Sequence, residues 1–129
     1  MQQKEFIAKD GQAYVIRLNE KGEEISVFLG AEQLGIIDLK HVANPRGPHY
    51  YLITVLDLQK CKRKGLGEAS LRYHQEVFRL PLTANGDVRE GRQSNESQLT
   101  REGIIFIQKM RAKGVVETED FHDAFNEDE

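Results

Sequence analysis

The hydrophobic period of this chain changes sharply near its middle, and that change limits what the chain can fold into. Tyr50 to Leu58 is a run of aromatic, β-branched and aliphatic residues in which only Thr54 and Asp57 are polar. Such crowding predicts a central strand. From Leu66 the spacing becomes helical, with Leu66, Ala69, Ser70, Tyr73 and Val77 at i, i+3, i+4, i+7 and i+11. Between the two patterns lies Lys60-Cys61-Lys62-Arg63-Lys64-Gly65-Leu66-Gly67, a basic segment punctuated by glycine. A strand that passes directly into a helix calls for a domain in which helices pack on a sheet.

The flanking sequence extends this pattern. Phe6-Ile7-Ala8, the turn signal Lys9-Asp10-Gly11 and Ala13 to Leu18 read as strand, turn, strand. After a break at Asn19-Glu20-Lys21-Gly22, Glu24 to Leu29 alternates with Ile25, Val27 and Leu29 on one face, and Leu34 to Leu39 forms another strand. Asn44-Pro45-Arg46-Gly47-Pro48 must be a loop, because two prolines and a glycine rule out continued helix or central strand. Beyond the first helix, Leu80 to Ala84 predicts a short strand, and the polar stretch Asp87 to Gln98 a long loop. A second helix begins near Thr100, which can cap it, carries Leu99, Gly103, Phe106, Ile107 and Met110 at helical spacing, and stops at Gly114. Val115-Val116 can add a last strand, and the acidic stretch from Glu117 to Glu129 reads as an appended tail. The expectation is one α+β domain over residues 1–116, a mixed, mostly antiparallel sheet flanked by helices, with a tail at 117–129.

Length and composition narrow the function classes. At 129 residues a single core is expected. The net charge of -3 gives no general attraction to nucleic acid or anionic membrane, so affinity for a polyanion has to come from the local cluster Lys60 to Lys64. The lone Cys61 cannot make an internal disulfide, and the N-terminus leads into no apolar stretch of signal-peptide length, which points to a cytoplasmic protein. No apolar run approaches the roughly 20 residues of a spanning helix.

The basic loop carries the chemistry. Gly65 and Gly67 permit a tight turn and close backbone approach, the helix start offers unpaired N–H groups and a positive dipole end, and Lys62, Arg63 and Lys64 add attraction for phosphate. The same residues also suit a plain strand-to-helix turn with a solvated basic loop. A Walker loop would need Lys-Ser or Lys-Thr after the second glycine, where Glu68-Ala69 stands; a dinucleotide fingerprint would need glycine at position 70, where Ser70 stands.

The loop resembles the cofactor loop of the GNAT family of N-acetyltransferases: Arg or Gln, two variable residues, Gly, one variable residue, then Gly or Ala. Lys62 occupies the Arg/Gln place, and Gly65 and Gly67 the glycine places. The order of elements over residues 50 to 116 is similar too: strand, loop, helix, strand, helix. The resemblance implies an acyl-CoA N-acyltransferase-like fold that binds acetyl-CoA and passes the acetyl group to an amine whose identity the sequence does not disclose. It implies that Leu56 and Leu58 flank the pantetheine arm, and that Lys62, Arg63, Lys64, Gly65, Leu66, Gly67 and Glu68 surround the pyrophosphate. Three departures stand beside it. The two helices that the family usually has between its first strands have no counterpart in residues 1 to 42. Met110 occupies the place of the family's usual tyrosine acid, four residues before Gly114, and the loop from Asp87 to Gln98 is longer than usual.

Among single residues, Asp57 at the strand end is the best-placed general base for direct attack by an amine, although it equally suits an ion pair with the basic loop. Glu68 complements the helix dipole. Cys61 reads as an ordinary loop thiol, Tyr73 as core, His74 as solvent-facing, and Tyr50-Tyr51 as cross-strand packing residues. His41, His49, His74 and His122 lack mutual metal-ligand spacing, so no metal is expected. Two other functions remain open to such a chain: a non-catalytic module that binds CoA or another phosphate ligand, and an interaction protein using its basic loop or acidic tail.

Overall fold

The computed structural model describes residues 2–43, 45, 49–61, 65–84 and 101–117. The expectations placed on Lys62, Arg63, Lys64, Thr100, the stretch 87–98 and the tail 118–129 lie outside these residues. So does most of the loop around Pro45.

Among the described residues six strands form one sheet in sequence order, β1 Gln2–Ile7, β2 Ala13–Leu18, β3 Glu24–Leu29, β4 Glu32–Val42, β5 Tyr50–Asp57 and β6 Leu82–Ala84. The first five pair antiparallel and β6 pairs parallel to β5. Parallel pairing needs a crossover, and helix α1, Leu66–Phe78, supplies it; α2, Arg101–Ala112, follows β6. The class is therefore α+β, with a mixed, mostly antiparallel sheet and, among the described residues, two α-helices. Before the short 3-10 turn Gln59–Cys61 the described residues contain no helix.

The first two reversals form where the turn residues predict them, and a third follows β3. Gly11, Gly22 and Gly30 take positive φ values of 82°, 72° and 61° at the three reversals. Asn19 Oδ1 accepts the N–H groups of Glu23 and Glu24 and holds the second reversal shut. β4 is longer than the predicted Leu34 to Leu39. Val115-Val116 is not a strand: the pair is buried, and the chain beside it touches the sheet where Glu117 N–H donates to Leu82 O at 2.7 Å.

Cross-strand alignment puts Tyr14, Ile16, Leu18, Ile25, Val27, Ile37, Leu39, Tyr51, Ile53 and Leu82 on one face. They join Leu66, Leu71, Tyr73, Ile104, Ile107 and Met110 of the two helices in a single core. The opposite face carries a smaller cluster of Tyr50, Leu52 and Val42.

His74 overturns the expectation that it faces water. It is fully buried, and its ring packs against Tyr51 at 4.5 Å and Phe78 at 4.7 Å between centroids. The helical stripe is wider than the spacing suggested, because α1 lies over a sheet broad enough to cover both Tyr73 and His74. His74 Nε2 lies 2.8 Å from Gly22 O, so that nitrogen carries the proton and donates, leaving Nδ1 buried as a bare acceptor with no hydrogen-bond partner. The bond ties α1 to the β2–β3 reversal.

Burial lowers the pKa of His74 from its ordinary 6.5, outweighing the opposing effect of the Gly22 hydrogen bond. Between pH 6.5 and the lowered folded value the unfolded chain takes up a proton that the folded chain refuses. Stability from this group is thus complete above the unfolded pKa and is lost as the pH falls below it. Urea midpoints should fall between pH 7.5 and pH 5, with a shallower fall in His74→Leu; an equal slope in the two proteins would refute this role for the imidazole.

Candidate functional site

β5 has two different neighbours, and the site arises where one of them ends. Its pairing with β4 continues to Ile36 opposite Asp57, whereas its pairing with β6 covers only Tyr51, Leu52 and Ile53. Among the described residues, the β6-side edge of Thr54 to Asp57 has no partner strand. A cleft of about 540 Å³ opens at that end. Leu56, Leu58 and Cys61 line it from β5 and the turn, Gly65 to Glu68 from the start of α1, and Ile105, Phe106 and Met110 from α2.

A bulge decides which β5 side chains reach the cleft. The register slips between Asp38 and Leu39, pairing Asp38 with Val55 but Leu39 with Ile53, so Thr54 is the extra residue. Its hydroxyl donates to Asp38 O at 3.2 Å. The slip reverses the alternation beyond it: Leu56, opposite Ile37, shares the core face with Ile53, whereas Asp57, opposite Ile36, goes to the other face. Leu56 and Leu58 therefore line the cleft. Asp57 is exposed, does not line the cleft, and accepts the backbone N–H of Gln59 at 3.4 Å. The structure does not bring this candidate base to the other candidate residues.

The two loop glycines have different physical reasons. Gly65 is the N-cap of α1 with φ 80°, a left-handed conformation that a side chain disfavours, and no side chain there caps the first-turn N–H groups. Gly67 is helical, and its need is space: a Cβ there would stand 2.6 Å from Cζ of Phe106 and 3.2 Å from Cδ1 of Leu58. The second glycine thus lets α2 approach the first turn of α1. Leu66 is buried in the core.

Glu68 is a tie between helices. Its carboxylate accepts Lys113 Nζ at 2.6 Å and Arg72 Nε at 2.8 Å, and these hydrogen bonds, Lys113 first, hold its pKa below the ordinary carboxylate value. A carboxylate so held is a poor proton acceptor. Lys9, Lys109 and Lys113 place cations around the cleft. Gln59 Nε2 donates to Glu102 at 3.1 Å and links the end of β5 to the start of α2.

Cys61, read as an ordinary loop thiol, is buried in the cleft wall. Met110 is also buried, and its thioether offers no acid. The α2 contributors Glu102, Ile105 and Lys109 had no signal beyond helical spacing, because which flank of α2 meets the cleft depends on the Gly67–Phe106 contact. No three His, Cys, Asp or Glu side chains among the described residues form a metal-binding group. Among the described residues no helix is long and apolar enough to cross a membrane. No family model, curated protein or solved structure matches the chain.

Gly67→Ala is expected to cost about 1–3 kcal/mol by overpacking. In a Phe106→Ala background the same substitution should cost nothing or stabilise, since Ala is better than Gly in a helix by roughly 1 kcal/mol. Urea denaturation of the four proteins measures this coupling; an equal cost in both backgrounds would contradict the contact.

Proposed function

We propose that the cleft at the end of β5 binds a CoA thioester, acetyl-CoA in the first instance, and serves acyl transfer to an amine. The observation that carries this reading is one juxtaposition: among the described residues the β6-side edge of β5 is without a partner strand from Thr54 onward, and it leads toward the start of α1, where the N-cap Gly65 has no side chain to cap it, beside a cleft that includes Leu56 and Leu58. An extended amide-containing arm finds backbone partners along such an edge, and a pyrophosphate finds N–H groups and a positive dipole end at the helix start. Lys109 and Lys9 add favourable charge. The resemblance would add Lys62, Arg63 and Lys64, which lie outside the described residues, as further partners of the phosphates. Bound there, the thioester supplies an activated acyl group, and no covalent enzyme nucleophile is needed for direct attack by an amine.

Three observations favour a second reading, a CoA-binding module without turnover. Asp57 stands on the face away from the cleft, and Met110 takes the place of an acid. Glu68, the carboxylate at the start of α1, is held by Lys113 and Arg72.

Ligand-dependent melting tests the shared part of both readings. Acetyl-CoA and CoA should raise the melting temperature and ATP should not; saturation at a hundred times Kd corresponds to about 2.7 kcal/mol. Absence of a shift with either CoA compound would refute both. Thiol release with a pool of amines then separates enzyme from binder. Given its position, Asp57→Asn should release thiol as fast as the parent protein, and a loss would return that carboxylate to the reaction.

A further inference from the structure

Outside the cleft, the β4–β5 hairpin brings together two imidazoles that stand eight residues apart in the chain. His41 is opposite Tyr51, and His49 lies two residues before Tyr51, so alternation places both histidines on one side of the hairpin. Their ring centroids are 5.2 Å apart with planes at 59°, and both residues are exposed. We propose that His41 and His49 form a two-imidazole site for a divalent transition cation, Zn2+ or Ni2+, with water completing the coordination.

The separation is the main argument. Two imidazoles bonded through nitrogen to one tetrahedral Zn2+, at about 2.0–2.1 Å each, hold their ring centroids roughly 5 Å apart. Imidazole suits Zn2+ and Ni2+, whereas Mg2+ and Ca2+ prefer oxygen, so the site discriminates between these classes by donor chemistry.

Preorganisation is the second argument. The His41 ring meets the Tyr51 ring edge-on at 5.2 Å, and Tyr51 is itself fixed, since it is buried and its hydroxyl donates to Lys21 O at 2.8 Å. One ligand therefore stands on a rigid part of the sheet and the other at the entry to β5. A cation held by both cross-links the end of β4 to the start of β5. This site is separate from the cleft, and its success or failure is independent of CoA binding.

Calorimetric titration of Zn2+ into chelator-treated protein at pH 7.5, with the parallel Zn2+-dependent change in melting temperature, tests the proposal. The parent chain should bind one equivalent, and Cys61→Ser should bind it equally well, which excludes the thiol as the ligand. His41→Ala and His49→Ala should each bind about tenfold more weakly or worse, because the second donor no longer acts at high effective concentration. Both substitutions are at exposed positions, so each variant should stay folded without Zn2+, and its Zn2+-dependent shift is read against its own Zn2+-free melting temperature. Parent-like Zn2+ affinity in either variant, or neither heat nor melting shift in the parent with Zn2+ or Ni2+, would overturn the proposal.

Discussion

Parallel pairing between β5 and β6 is the constraint on which the rest of the structure depends. It lasts three residues, from Tyr51 to Ile53 on β5. To return parallel, the chain must cross over the sheet, and that crossover is α1. The start of α1 consequently lies at the end of β5, beside the part of the strand edge that β6 does not pair. α2 follows β6 and settles against the first turn of α1, where Gly67 leaves room for Phe106. Cleft, helix start and strand edge follow from one short piece of pairing.

The β4–β5 bulge has an influence out of proportion to its single extra residue. Regular alternation from Ile53 would have put Val55 and Asp57 on the core face and turned Leu56 and Leu58 away. With Thr54 inserted, the apolar residues line the cleft and the carboxylate leaves it. The chemical character of the cleft, an apolar part beside Lys9, Lys109 and Lys113, is set by this slip.

Much of the fold was legible because its signals are local. Reversals at Gly11, Gly22 and Gly30, the alternation of Ala13 to Leu18 and Glu24 to Leu29, and the helical spacing after Gly65 each depend on neighbours in sequence, and the elements appear close to where those signals fall. What was not legible depends on partners far away in the chain. The bulge is a property of two strands together. His74 is buried because the β2–β3 reversal and Tyr51 meet α1 there, and nothing in the local pattern of α1 announces that. His41 and His49 look unrelated until the hairpin register aligns them. In the candidate site, the loop glycines could be read from the strand-to-helix transition and Leu56 and Leu58 were named through the resemblance, but the α2 flank and the side taken by Asp57 could not be read.

The central claim is that the cleft at the end of β5 is where a CoA ligand binds, and residue-resolved mapping tests it most directly. In an amide NMR titration of labelled protein with CoA, the resonances of Leu56, Leu58, Gly65 to Glu68 and Lys109 should shift together. Those of Ile36, Tyr50 and Leu52, on the opposite face, should stay in place. Saturating CoA that leaves the cleft amides unmoved, or shifts centred on the opposite face, would contradict the account.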